Sequence, residues 1–217
     1  MGGIKIYGMP TSTNTIRALA ALNEKGLDYE LVIVDLRTGA HKHPNFLALN
    51  PFGQIPVLED GDVVLFESRA INRYIATKYA EAGPDLLLSG GTPAERAAVE
   101  IWLEVESQQF GPPIASLVFE ALIKPMLVKA TADEAIVEAQ AAKLEKVLDV
   151  YEARLAQNKY LAGEHFTLVD LNHIPYTNYL LKTSKAALVT SRPHLLAWWK
   201  DVSARPAWVK TAAGIPF

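Results

Sequence analysis

Between residues 81 and 92, in EAGPDLLLSGGT, the hydrophobic period of the chain changes, and that change constrains everything on either side. Gly83, Pro84, Gly90 and Gly91 surround the short apolar run Leu86 to Leu88, which is the composition of a linker. Upstream, strand and helix signals alternate. IKIYG at 4–8 alternates as a strand, residues 13–25 place Ile16, Leu19, Ala20 and Leu22 on one helical face before Gly26, and YELVIVDL at 29–36 is a second, β-branched strand. A short helix between two such strands makes a right-handed βαβ unit with parallel strands. The polar stretch 37–50 reads as loop or irregular helix. Strands at 55–58 and 63–66, joined by Glu59, Asp60, Gly61 and Asp62, form a hairpin, and 68–79 is a helix with Ile71, Tyr74 and Ile75 inward. Downstream of the linker every periodic segment is helical: 93–110, 114–127, 132–156, 168–181 and 193–204.

The expected fold is therefore an α+β N-terminal domain over residues 1–80, with the βαβ, ββα order of a thioredoxin-like domain. A linker follows at 81–92, then an all-α bundle over 93–217. FTLVD at 166–170 is a helix start, with Thr167 as N-cap, Asp170 reaching back and Phe166 placed to staple onto Leu171. A chain of 217 residues, half of them hydrophobic, buries roughly 70 to 75% of its unfolded surface. A net charge of −3 with no basic stripe argues against nucleic acid as a partner. No apolar run approaches the ~20 residues of a membrane span and the N-terminus alternates instead of leading into an apolar segment, so a soluble, cytoplasmic protein is expected. The absence of cysteine excludes disulfides, thiolate metal sites and redox chemistry on the protein's own sulfur. Any thiol chemistry needs a thiol brought in as substrate.

The hairpin contains an anomaly. Pro56, inside its first strand, has no N–H for a ladder, which confines it to an edge, a bulge, a strand start or a tight bend where a cis bond occurs. Glu67 and Ser68 lie where strand gives way to helix, so Ser68 is either a plain cap or, with the first free N–H groups, part of a small anion site. Thr11, Ser12 and Thr13 follow the first strand, and by spacing any of them is a hydroxyl donor or the cap of the first helix. His41, Lys42 and His43 read as a solvated face. Arg17 and Arg69, one turn into their helices, are expected to hold Glu or Asp partners. Trp102, Trp198, Trp199 and Trp208 are expected in core or interdomain packing, with Trp102 alone placed to approach a cleft. Phe52, in NPFG, is expected to project outward from its loop.

STNTIR after the first strand, HKHPNFLALNPFGQIPVLEDGD, LFESRAINRYIA and FTLVDL, in this order over the whole chain, resemble a phi-class glutathione transferase. The resemblance implies conjugation of the thiolate of glutathione to small hydrophobic electrophiles, with glutathione as cosubstrate and neither a cofactor nor a metal. It implies a cis Pro56 that turns Ile55 toward the tripeptide, which pairs with it as a short strand would. Ser68 then holds the γ-glutamyl carboxylate, Glu67 its ammonium and Gln54 an amide contact, while His41 and Lys42 meet the glycyl carboxylate; His43 has no counterpart. Ser12 becomes the thiolate donor, helped by the positive end of the first helix. Phe52 becomes the anchor of a homodimer, entering the partner subunit. An acceptor pocket beside Ser12 is expected from Met9, Leu36, Phe119 and Tyr176. A carrier of hydrophobic small molecules on the same fold, and reduction of organic hydroperoxides by the same thiolate, are the alternatives.

Overall fold

A computed structural model describes residues 3–216. It divides the chain into two compact units, one running to Leu87 and resuming at Ala204, the other spanning Leu88–Ser203. In the first unit, strands β1 (Ile4–Gly8), β2 (Tyr29–Ile33), β3 (Val57–Asp60) and β4 (Val63–Phe66) form a sheet in the order β2-β1-β3-β4. β1 pairs with β2 in parallel and with β3 antiparallel, as the βαβ, ββα order requires. Ile4, Ile6 and Gly8 point to one buried face, where α1 (Thr13–Glu24) and α3 (Ser68–Lys78) pack; Lys5 and Tyr7 point to the other. The predicted loop at 37–50 contains two short 3₁₀ turns, Leu36–Thr38 and Ala40–Lys42, and the single-turn helix α2 (Pro44–Leu47), pinned by the buried Phe46.

The hairpin strand expected at 55–58 begins two residues later. The Ile55–Pro56 peptide is cis, and the ladder starts at Val57, opposite Tyr7 on one side and Phe66 on the other. Pro56 thus precedes the strand, where its missing N–H leaves no gap in the ladder. The strands are closed by Gly61 and Asp62, with Gly61 at φ 63° in the first turn position, a conformation that glycine takes without a Cβ penalty.

In the second unit, α4 (Pro93–Val105) opens with a complete capping box between Thr92 and Glu95. Gly111, Pro112 and Pro113 suggest a break after residue 110. Instead the helix continues to Val128, through wide π-helical turns at Glu106–Phe110 and Phe119–Val128 around α5 (Gly111–Val118). Prolines remove donors and crowd the preceding carbonyls, and a widened turn ahead of them absorbs both defects. By length and composition alone this run of 36 residues could cross a membrane, contrary to the expectation from apolar run length. Its segments pack along α6 (Glu134–Leu155) and α7 (Leu168–Leu180). Asp170 is fully buried on α7 and accepts from the N–H groups of Thr167 and Leu161 and from Trp198 Nε1 at 2.9 Å, which completes the predicted cap. Burial nevertheless pushes its pKa up, because these donors do not fully replace water. Trp102 meets Tyr151 edge-on and lies under the Arg154 guanidinium, and Trp198 is buried here; Trp208, also buried, lies on the last helix of the chain, in the first unit.

α8 (Ala187–Thr190) and α9 (Pro193–Ser203) complete this unit, but the last helix, α10 (Pro206–Ala213), does not belong to it. The sequence boundaries put residues 93–217 in one bundle. Helical period identifies the helix without its partner, and α10 packs on α1: Asn23 donates to Thr211 Oγ1 at 2.8 Å, and Glu24 holds Arg205 in a bidentate pair at 2.7 and 2.8 Å.

The hairpin is fastened to the far end of α3 by one carboxylate. Asp60 Oδ2 accepts from Lys78 Nζ at 2.8 Å, Tyr79 at 2.8 Å and Tyr74 at 3.1 Å. Burial raises the Asp60 pKa, and the three donors outweigh it, leaving the group below its ordinary value. A folded-state pKa below the unfolded one stabilises above the unfolded value, near 3.9, and the contribution is lost as pH falls through the folded value. Asp60→Asn should therefore cost about 2 kcal/mol at pH 7 in denaturant unfolding, from loss of charge-assisted bonds. The difference from the native protein should close as pH falls through the folded value; a gap that stays constant in acid would contradict this account.

Candidate active site

Two helix N-termini and one loop build the site, all within the first unit. Gly8 ends β1 against α1 so closely that a Cβ there would lie 2.4 Å from Thr15 Oγ1. That approach delivers the chain into Ser12, the N-cap of α1, whose hydroxyl oxygen accepts from the Thr15 N–H at 3.4 Å. Of the three adjacent hydroxyls, Ser12 is thus the cap. A hydroxyl that accepts in capping keeps its own proton available for another acceptor.

The second terminus departs from expectation. The N-cap of α3 is Glu67, at φ 67°, and its side chain makes no capping bond; Ser68 is the first helical residue. A left-handed conformation at a non-glycine residue costs on the order of 1–3 kcal/mol and is held only where surroundings enforce it. The Ser68 hydroxyl accepts from Arg17 Nη1 at 2.8 Å instead of capping the helix. The first N–H groups of α3 therefore face outward with no side chain of this cap on them, at the positive end of the helix.

The loop is organised by Asn50, which is buried. Its Nδ2 donates to the Gln54 carbonyl at 2.7 Å and its Oδ1 accepts from Phe52 N at 3.0 Å. Gly53 takes φ 56°, with the His41 carbonyl 2.7 Å from where a Cβ would stand, so only glycine fits. Lys42 Nζ donates to the carbonyls of Phe52 and Gly53 at 3.1 and 2.9 Å, tying the 3₁₀ turn to the loop. Phe52 itself projects outward, 64% exposed, touching Phe66 edge-on.

These parts form an open pocket of about 60 Å³ lined by Gln54, Ile55, Pro56, Glu67 and Ser68, together with Asn14, Asn50 and Arg69. Five of the predicted site residues thus meet on one wall. Ser12 is not on the lining; it stands two residues before Asn14 at the same helix end. His41 and Lys42 also lie off the lining, on the turn that supports the Gly53 backbone. His41 Nδ1 is buried without a hydrogen-bond partner, and burial, then the Lys42 charge, hold its pKa below the ordinary value. Met9 precedes α1 and Leu36 opens a 3₁₀ turn in the first unit, whereas Phe119 and Tyr176 lie on helices of the second. Among the described residues no group of His, Asp and Glu side chains could hold a metal.

Family models for the glutathione S-transferase N-terminal and C-terminal domains match residues 2–77 and 112–206. The chain belongs to the glutathione S-transferase family. It is 57% identical to glutathione S-transferase 3 of Zea mays, over all of this chain and 96% of that one. It superposes on glutathione transferase F7 from Populus trichocarpa with a TM-score of 0.95 at 52% identity, covering 99% of this chain and 100% of the other. Glutathione S-transferase I from mais in complex with an atrazine glutathione conjugate matches at TM-score 0.90 and 43% identity, over 99% and 98% of the two chains. The phi-class resemblance read from the sequence holds.

In this transferase the sequence reading missed Asn14, Asn50 and Arg69 on the pocket wall, and the bonds from Arg17 to Asn14 and Ser68. Asn50 carried a signal, since Asn before Pro marks a turn whose side chain bonds the backbone two residues on. Asn14 and Arg69 carried none beyond their neighbours.

Proposed function

We propose that this protein is a glutathione transferase that binds glutathione in the first-unit pocket, lowers the pKa of its thiol, and directs the thiolate at small hydrophobic electrophiles in a detoxifying role. The observation that carries this reading is the Ser12 hydroxyl, which caps α1 as an acceptor and so keeps its proton for a sulfur anion beside the positive end of the helix. An ordinary thiol with pKa near 8.5 is mostly protonated at neutral pH, so a donor and a helix dipole aimed at the anion raise the fraction able to attack.

The pocket suits the rest of the tripeptide. Ser68 and the outward N–H groups of α3 offer donors to the γ-glutamyl carboxylate, and Glu67 beside them offers an acceptor for the ammonium. Ile55 lies outside the ladder, which begins at Val57, and its backbone is the partner for the cysteinyl residue; Gln54 adds an amide. His41 and Lys42 stand beyond Gly53, on the side where the glycyl carboxylate would lie. A carboxylate against His41 would reverse the depression of its pKa, so binding takes up protons between the two values.

The acceptor is a small apolar electrophile, which Met9 and Leu36 of the first unit would meet beside Ser12. No cofactor or metal is required, since the nucleophile arrives with the substrate, and the cytoplasm supplies reduced glutathione. A carrier role alone is disfavoured, because ligand storage has no use for a free hydroxyl proton at a helix end. In steady-state conjugation with a chloronitroaromatic acceptor, Ser12→Ala should lower kcat about 10²- to 10³-fold while glutathione still binds in calorimetry. Unchanged turnover would exclude the mechanism.

The assembly is a two-fold homodimer with Phe52 as its anchor. A ring 64% exposed on a loop braced by Asn50 and Lys42 is pre-organised to enter a partner. Truncation should cost roughly 2 kcal/mol or more, about 30-fold in the dimer dissociation constant. In sedimentation Phe52→Ala should shift toward monomer at micromolar concentration and bind glutathione more weakly, because the same loop carries Gln54 and Ile55. A variant that stays dimeric and binds normally would refute the assignment.

A further inference from the structure

Arg17 is the largest side chain among the described residues to be wholly buried. A guanidinium does not shed its charge, so it is tolerated there only against good acceptors. Its Nη1 donates to Asn14 Oδ1 at 2.8 Å and to Ser68 Oγ at 2.8 Å, and both acceptors stand on the pocket wall. Asn72 of α3 donates to the Arg17 carbonyl at 3.2 Å, so a second bond holds the same turn of α1 against α3.

We propose that Arg17 is a positioning residue for carboxylate recognition, fixing the direction in which the Ser68 hydroxyl donates. This rests on the reading that the pocket holds the γ-glutamyl carboxylate. A serine hydroxyl has one proton and two lone pairs. Among the described residues the bond from Arg17 is the only one this hydroxyl makes, and it occupies a lone pair. The proton is therefore directed at an acceptor in the pocket. Donation from a cation into the oxygen also polarises the O–H, which strengthens its bond to an anion. Asn14 is held with its Oδ1 turned inward to Arg17, which leaves its amide N–H₂ as the group available to the pocket. One buried cation thus orients two neutral side chains as donors at an anion site, without itself touching the ligand. Without it, either side chain is free to turn a lone pair toward the carboxylate.

Calorimetry with glutathione and with a tripeptide analogue lacking only the γ-glutamyl α-carboxylate separates positioning from general loosening. The native protein should prefer glutathione. Arg17→Gln should weaken glutathione about tenfold or more, leave the analogue's affinity within about twofold, and raise the glutathione KM more than it lowers kcat. Arg17→Gln combined with Ser68→Ala should lose less affinity for glutathione than the sum of the two single losses, because the part of the Arg17 effect that acts through Ser68 is already gone. Equal losses for both ligands, additive losses in the double variant, or an Arg17→Gln protein with native discrimination would each overturn the role of Arg17. A native protein that fails to distinguish the ligands would overturn the carboxylate reading of the pocket and this inference with it. If Arg17→Gln does not fold, Arg17→Lys decides on the same ligand pair: it keeps the charge on a shorter stem without the planar fork that sets the two bonds, and selective loss for glutathione is again expected.

Discussion

The clamp between α1 and α3 is the interaction on which the site depends. Arg17 leaves α1 one turn after its cap and reaches the first residue of α3, so the two N-termini are held within the length of one side chain. Each terminus carries the partial positive charge of its helix and several unpaired N–H groups. Bringing two such ends together beside a guanidinium is costly in isolation, and the cost is offset when anions arrive. A tripeptide with a carboxylate and a thiolate supplies both. Recognition and activation are in this sense one electrostatic arrangement.

The surrounding frame sets these ends by close approach instead of by flexible reach. Gly8 lets β1 run against Thr15, Gly53 lets the loop pass the His41 carbonyl, and Asn50 satisfies both edges of that loop from a buried position. Asp60 fastens the hairpin to the other end of α3, so the strained cap at Glu67 is held from both sides. Strain at a functional position persists only where the structure over-determines it. α10, returning from the second unit to cover α1, completes that enclosure.

Much of this was legible in the residues because it is local. The strand and helix order, the Thr167–Asp170 cap, the outward Phe52 and the anomaly at Pro56 all follow from period, capping and turn chemistry within a few positions. What was not legible depends on contacts far apart in sequence. Arg17 reads as an ordinary helical charge until α3 is placed against it, and Ser68 reads as a cap until Arg17 takes its oxygen. α10 has the period of a bundle helix, and only Asn23 and Glu24, on the other side of the chain, reveal its partner. Pro112 and Pro113 predicted a break because period carries no signal for a turn that widens to accept them.

The central claim is that Ser12 and the α1 terminus stabilise a sulfur anion. Its most direct test is the ultraviolet thiolate absorbance of bound glutathione as a function of pH. In the native protein the midpoint should fall at least about one unit below that of an unperturbed thiol, equivalent to about 1.4 kcal/mol in favour of the anion, and in Ser12→Ala it should move back toward the unperturbed value. Coincident titrations of the native and Ser12→Ala proteins would contradict the account.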